Sequence, residues 1–123
     1  MTTYSAFDLV RLTGASYRQV DYWARTHLLV PSTHAANGSG SRRRYSSVDL
    51  DLCRMLVSLI SVAPLQIARD VAPALRSVLE ASGRPERVFV SAEGAVSTST
   101  PPLADLPSIC IPVPGELTQA GAA

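Results

Sequence analysis

Two clusters of side chains in the first 45 residues are equipped to hold a polyanion. One is Ser16, Tyr17, Arg18, Tyr22 and Arg25, set on a short amphipathic stretch. The other is Arg42-Arg43-Arg44-Tyr45, which follows the turn-forming run Asn37-Gly38-Ser39-Gly40. Guanidinium groups form paired hydrogen bonds to phosphate, and seryl and tyrosyl hydroxyls add single ones. The N-terminus of a capped helix also favours an anion. A helix that presents such groups beside a cationic hairpin is one way a small domain grips duplex DNA. The plainer reading of each arginine is a solvated surface charge, and Tyr17 and Tyr22 could simply cover part of the core.

The charge distribution favours the first reading. Residues 1–45 carry six arginines against Asp8 and Asp21, a net +4, whereas residues 46–123 carry five arginines against eight acids, a net −3. The half that would meet a polyanion is therefore the first. All eleven basic residues are arginine. The sequence has no nucleophile–base pair, spaced carboxylate pair or Gly-rich phosphate loop, so no enzyme is expected. His27 and His34 are isolated and read as structural or solvated. Cys53 and Cys110 lack companions for a metal site and read as buried small hydrophobes, so neither metal nor cofactor is expected. No window approaches 18 apolar residues, and the N-terminus lacks the regions of a signal peptide. The expectation is a cytoplasmic protein with no membrane contact.

The elements that must position these groups can be read from their start signals. Ser5 and Asp8 have capping-box spacing and predict a helix over about 6–12, with Ala6, Leu9 and Val10 on its inner face. Thr13-Gly14-Ala15 is the turn. Ser16 with Gln19 opens a second helix over 16–26. Val20, Trp23 and Ala24 face inward on it, leaving Tyr17, Arg18, Asp21 and Tyr22 outside. Asp21 should pair with Arg18 or Arg25, and Arg25 also suits the helix dipole. Leu28 to Pro31 leaves as an extended stretch into a hairpin whose return strand is 42–45. Ser47 is expected to cap a third, central helix. Pro64 should be the first residue of a fourth helix over about 65–81, which Pro73 should kink or split. Residues 87–91 and 95–99 read as a β-hairpin, and 108–113 as a third strand that Pro112 pushes to a sheet edge.

The stretch from Tyr4 to about Leu79 resembles the MerR family of transcription regulators. The resemblance is carried by Gly14 and Ser16 in the turn, Tyr22-Trp23 in the second helix, Leu28-Leu29 with Pro31, Arg43 with Tyr45-Ser46, and Asp49. The run Tyr17 to Thr26 and the Gly38 to Ser41 turn are similar to an actinobacterial branch that includes a regulator of cell-division genes. The resemblance implies a sequence-specific double-stranded DNA-binding transcription regulator. Its recognition helix, 16–26, would lie in the major groove, and its arginine wing, 32–45, on the backbone or minor groove. The implied contacts are Ser16, Tyr17, Arg18, Tyr22, Arg25, Arg42, Arg43, Arg44 and Tyr45, with Arg43 as the family's wing arginine. Asp21 departs from the many members that carry a basic residue there. A phage or mobile-element excisionase, or recombination directionality factor, is the alternative that the sequence leaves open.

The expected fold class is α+β. A four-helix winged helix-turn-helix domain spans 1–82, a small β-hairpin or three-stranded segment spans 83–117, and a flexible tail spans 118–123. One winged helix covers few base pairs, so a homodimer or DNA-assembled oligomer is expected. Nothing after Gly83 has the helical periodicity of a coiled coil, which assigns the contact to the β-rich half. RNA polymerase at a promoter is the further partner that the resemblance implies, with nucleoid association when bound.

Overall fold

The computed structural model describes residues 3–31, 44–81, 83–92, 94–98 and 108–114. Helices α1 (Ala6–Thr13), α2 (Tyr17–Arg25) and α3 (Ser47–Ile60) each open with a reciprocal capping box. Ser5 pairs with Asp8, Ser16 with Gln19 and Ser46 with Asp49; in each, the serine Oγ accepts from the N3 amide and the N3 side chain accepts from the cap amide. The third cap is Ser46, one residue before the expected Ser47. The Ser-x-x-Asp spacing that marks it was present in the sequence.

Gly14, with φ +85°, stops α1 by entering the left-handed region, and its amide donates to the Val10 carbonyl. The Thr13 hydroxyl accepts from the Ala15 amide and donates to the Leu9 carbonyl, so the turn into α2 is closed by hydrogen bonds. At the far end of α2, the amides of Leu28 and Leu29 both donate to the Trp23 carbonyl. His27 takes φ +66° there, a left-handed position usually filled by glycine. The reversal sends Leu28 and Leu29 into the core. Tyr4 and Tyr45 then exchange both backbone hydrogen bonds, at 2.8 and 2.7 Å, tying the start of the chain to the segment that enters α3.

Pro64 occupies the N-cap of α4 (Leu65–Glu80) and not the expected first helical position, and the helix runs unbroken past Pro73, so the expected split does not occur. Pro73 lies on the exposed side, where water can serve the carbonyl that its missing N–H leaves unpaired. The buried stripe of α4 is Ala68, Val71, Ala72, Leu75 and Leu79, and Ala74 is exposed.

The β segment forms one antiparallel sheet of order β2-β1-β3, from β1 (Arg87–Ser91), β2 (Val96–Ser97) and β3 (Ser108–Pro112). Register places Val90 opposite Val96 and Ile109, and Val88 opposite Ile111. Val88, Val90 and Ile111 are buried with the helical residues in one continuous cluster built on α3 and α4. Pro112 does sit on an edge strand. Cys110 is exposed, contrary to expectation: it alternates away from the core and faces the solvent side of the sheet opposite Phe89. Cys53 is buried as expected, and burial pushes its thiol up to about 11, so it stays protonated and inert.

The central helix buries two carboxylates, Asp49 and Asp51. Arg76 of α4 donates to Asp49 Oδ1 at 2.7 Å. Arg84, just past α4, donates to Asp51 Oδ2 at 2.7 Å, to the Pro114 carbonyl at 3.1 Å and to the Leu79 carbonyl at 3.1 Å. The side chains of Arg84 and Asp51 are 11% and 2% exposed. One guanidinium therefore joins α3, the end of α4 and the exit of β3.

Trp23 is 2% exposed among the core residues. Trp23→Ala is expected to cost about 3–5 kcal/mol in equilibrium denaturation; a melting temperature lowered by only a degree or two would contradict the burial. Arg84→Met should cost about 3–5 kcal/mol near neutral pH, because it strands a buried carboxylate. Burial, opposed by Arg84, already holds the Asp51 carboxyl above the usual range. The folded state thus holds that proton more tightly than the unfolded chain, and acid relieves the cost of the buried charge. The penalty of Arg84→Met should shrink as pH falls through this raised pKa. A penalty independent of pH would place Asp51 in solvent.

Candidate nucleic-acid interface

Helix α2 separates its two sides sharply. Val20 and Trp23 are buried, while Ser16, Tyr17, Arg18, Gln19, Tyr22 and Arg25 are exposed. Arg18, Tyr22 and Arg25 follow i, i+4, i+7 spacing and share one face. Tyr17 and Tyr22 are 43% and 44% exposed, high for aromatic rings outside a core. The Ser16 box consumes its own hydroxyl and the Gln19 carbonyl oxygen, so Ser16 serves first as a helix cap.

Asp21 pairs with Arg25, its Oδ2 accepting from Nε at 3.0 Å. Of the two expected partners it takes the one a helical turn later. Arg18 has no ion-pair partner among the described residues. It stands in the first turn, where the helix dipole adds partial positive charge.

Two residues that the local patterns did not single out reach this face. Arg69 of α4 donates from Nη1 to the Thr26 carbonyl at 3.2 Å and from Nη2 to the Thr26 hydroxyl at 2.7 Å. Its guanidinium carbon lies 5.9 Å from the centre of the Tyr22 ring. It arrives from 43 residues away in sequence, so no spacing rule could have found it. Phe7 of α1 stacks on Tyr17; an aromatic residue off the Ala6, Leu9 and Val10 face was the available signal.

The wing divides differently. Arg42 and Arg43 lie outside the described residues. Arg44 is exposed and donates from Nε and Nη2 to the Thr3 hydroxyl at 3.0 and 2.7 Å. Tyr45 is fully buried. A side chain without exposed surface does not reach a groove, so Tyr45 belongs to the core, and its backbone pairing with Tyr4 fixes where the chain enters α3. Between the exit of α2, α3 and α4 lies a cleft of about 290 Å³, lined in part by His27, Leu28, Arg69 and Arg76. Among the described residues no group of three or more His, Cys, Asp or Glu could hold a metal ion, and no helix is long and apolar enough to cross a membrane.

This arrangement, two capped helices joined by a tight glycine turn with an exposed polar face on the second, coincides with a family model. Residues 4–68 match the MerR HTH family regulatory proteins, more than half of the chain. The chain belongs to the MerR family. The MerR match spans α1, α2, residues 26–46, α3 and the first turn of α4, and ends before the β segment. Similar proteins include uncharacterized HTH-type transcriptional regulators of Mycobacterium tuberculosis and Mycobacterium bovis, 44% identical over 71 residues. The aligned part is 54% of this chain and 32% of each relative, so the chain spans about a third of the length of these relatives. They agree with the actinobacterial character of the Tyr17 to Thr26 run.

Arg69 should stabilise the C-terminal end of α2. Arg69→Met is expected to lower unfolding free energy by about 1–3 kcal/mol through loss of its charged hydrogen bonds to Thr26. A change below about 0.5 kcal/mol in urea denaturation would show that these bonds do not persist in solution.

Proposed function

We propose that this protein is a sequence-specific double-stranded DNA-binding transcription regulator and not an enzyme. The observation that carries the reading is the exposed face of α2, on which Arg18, Tyr22 and Arg25 align beside Tyr17 on a helix pinned to the core by Val20 and Trp23. In this reading α2 lies in the major groove. Arg18 contacts a base edge or phosphate, and the hydroxyls of Tyr17 and Tyr22 donate to phosphates. Arg25 contributes through its outer edge, Ser16 by orienting the first turn, and Arg44 by anchoring the wing to Thr3. Arg42 and Arg43 supply the wing's charge to the backbone or minor groove. The MerR match and the transcriptional-regulator names of the mycobacterial relatives support regulation over the excisionase reading.

The same proposal includes assembly as a homodimer or on DNA, with the β segment supplying the contact. Its inner face is committed to α3 and α4, which leaves the edges and the outer face bearing Phe89 and Cys110. RNA polymerase at the regulated promoter is a further proposed partner, with a cytoplasmic, nucleoid-associated location.

The test is selection of bound duplexes from a random-sequence pool by the full chain, followed by titration of the best one. Arg18→Glu and Arg43→Glu should each abolish specific binding. Affinity should fall steeply with salt, since about 4–8 phosphates are neutralised in a dimeric complex. Two single variants that bind like the wild type at moderate salt would refute the winged-helix mode.

A further inference from the structure

Phe7 occupies the first turn of α1 and is 70% exposed. The core does not account for it, because Ala6, Leu9 and Val10 already fill the inward side of α1. Its ring lies instead against Tyr17, the first residue of α2, with centroids 5.0 Å apart and planes inclined by 24°. That offset-stacked separation is within the favourable range for aromatic pairs.

The placement matters because of what it fixes. The Ser16–Gln19 box holds the backbone at the start of α2. It does not hold the Tyr17 side chain, and an exposed tyrosine at a helix start samples several rotamers. A ring lying on Phe7 loses the rotamers that swing it away. The order is thus imposed from α1, across the glycine turn, by a residue with no other evident task. Arg18, which has no ion-pair partner among the described residues, is the next residue along.

We propose that Phe7 is a positioning residue for DNA recognition. By stacking on Tyr17 it holds the phenol at the N-terminal turn of α2, where the hydroxyl donates to a backbone phosphate beside Arg18. The proposal rests on the DNA-binding reading above and extends the working surface of that reading from α2 onto α1.

A double-mutant cycle on the full chain tests it, using the best duplex selected from the random-sequence pool. Phe7→Ala should weaken binding about 3- to 10-fold, the size expected from losing an aromatic stack. Tyr17→Phe, which keeps the ring and removes the hydroxyl, should weaken it by a similar factor. The deciding value is Phe7→Ala in the Tyr17→Phe background, which should change Kd by less than about twofold, because the hydroxyl that Phe7 positions is gone. Phe7→Tyr keeps a ring in place and should bind like the wild type. As Phe7 is mostly exposed, all four variants should melt within a few degrees of the wild type. Wild-type affinity for Phe7→Ala, or an equal loss with and without the Tyr17 hydroxyl, would overturn the positioning role. If Arg18→Glu also binds normally, or the pool yields no duplex, the DNA-binding reading fails and the role of Phe7 falls with it.

Discussion

The fold depends on burying charge near the start of its most apolar helix. Asp49 and Asp51 occupy the first turns of α3, amid Leu50, Leu52, Cys53 and Met55. Each carboxylate would be costly there without a guanidinium. Arg76 and Arg84 meet this requirement from α4 and from the segment just after it. The demand is directional as well as electrostatic. Asp49 must serve the Ser46 amide with one oxygen and Arg76 with the other, so α3 and α4 can pack in only one register. Arg84 must reach Asp51 while its other bonds hold the ends of α4 and β3. The sheet is therefore fastened to the helices by the same kind of contact that aligns the helices with each other.

That register in turn sets the position of α2. With α4 fixed against α3, Arg69 falls beside the end of α2 and closes on Thr26. Trp23 supplies the opposing anchor: its side chain is buried, and its carbonyl accepts the two amides that turn the chain back into the core. The exposed side chains of α2 thus project from a helix held along its inner face and at its C-terminal end. Its N-terminal end is held by the capping box and by the tight turn at Gly14.

Much of this was legible in the sequence because it is encoded locally. The boxes at Ser5 and Ser16, the turn at Gly14 and the split of α2 into Val20 and Trp23 against Arg18 and Tyr22 all follow from spacings of three or four residues. The antiparallel strands and the edge position of Pro112 follow from alternation and from a missing donor. What was not legible depends on distant residues or on which side an element presents. Arg69 and Tyr22 meet only through tertiary packing. Tyr45 shares its surroundings in sequence with three arginines, yet its ring turns inward, and the strand pattern alone did not distinguish those faces. Cys110 sits in an apolar run, but alternation places it opposite the side that the helices cover. Pro73 warned of a break, and the remaining bonds of a sixteen-residue helix packed along α3 outweigh the one that proline removes.

The charge along α2 shows how the parts act together. Of its two arginines, Arg25 is opposed one turn earlier by Asp21, so attraction for a polyanion is weakened at the C-terminal end, where the helix dipole is also unfavourable. Arg18 keeps its charge at the N-terminal end, where the dipole adds to it. Arg69 returns a positive charge to the C-terminal half of the face, beside the Tyr22 ring, from a helix whose position the buried carboxylates determine. The electrostatic profile of the exposed face of α2 is therefore a tertiary property: the buried pairing of Asp49 and Asp51 with arginines decides where one of the cations at the surface stands.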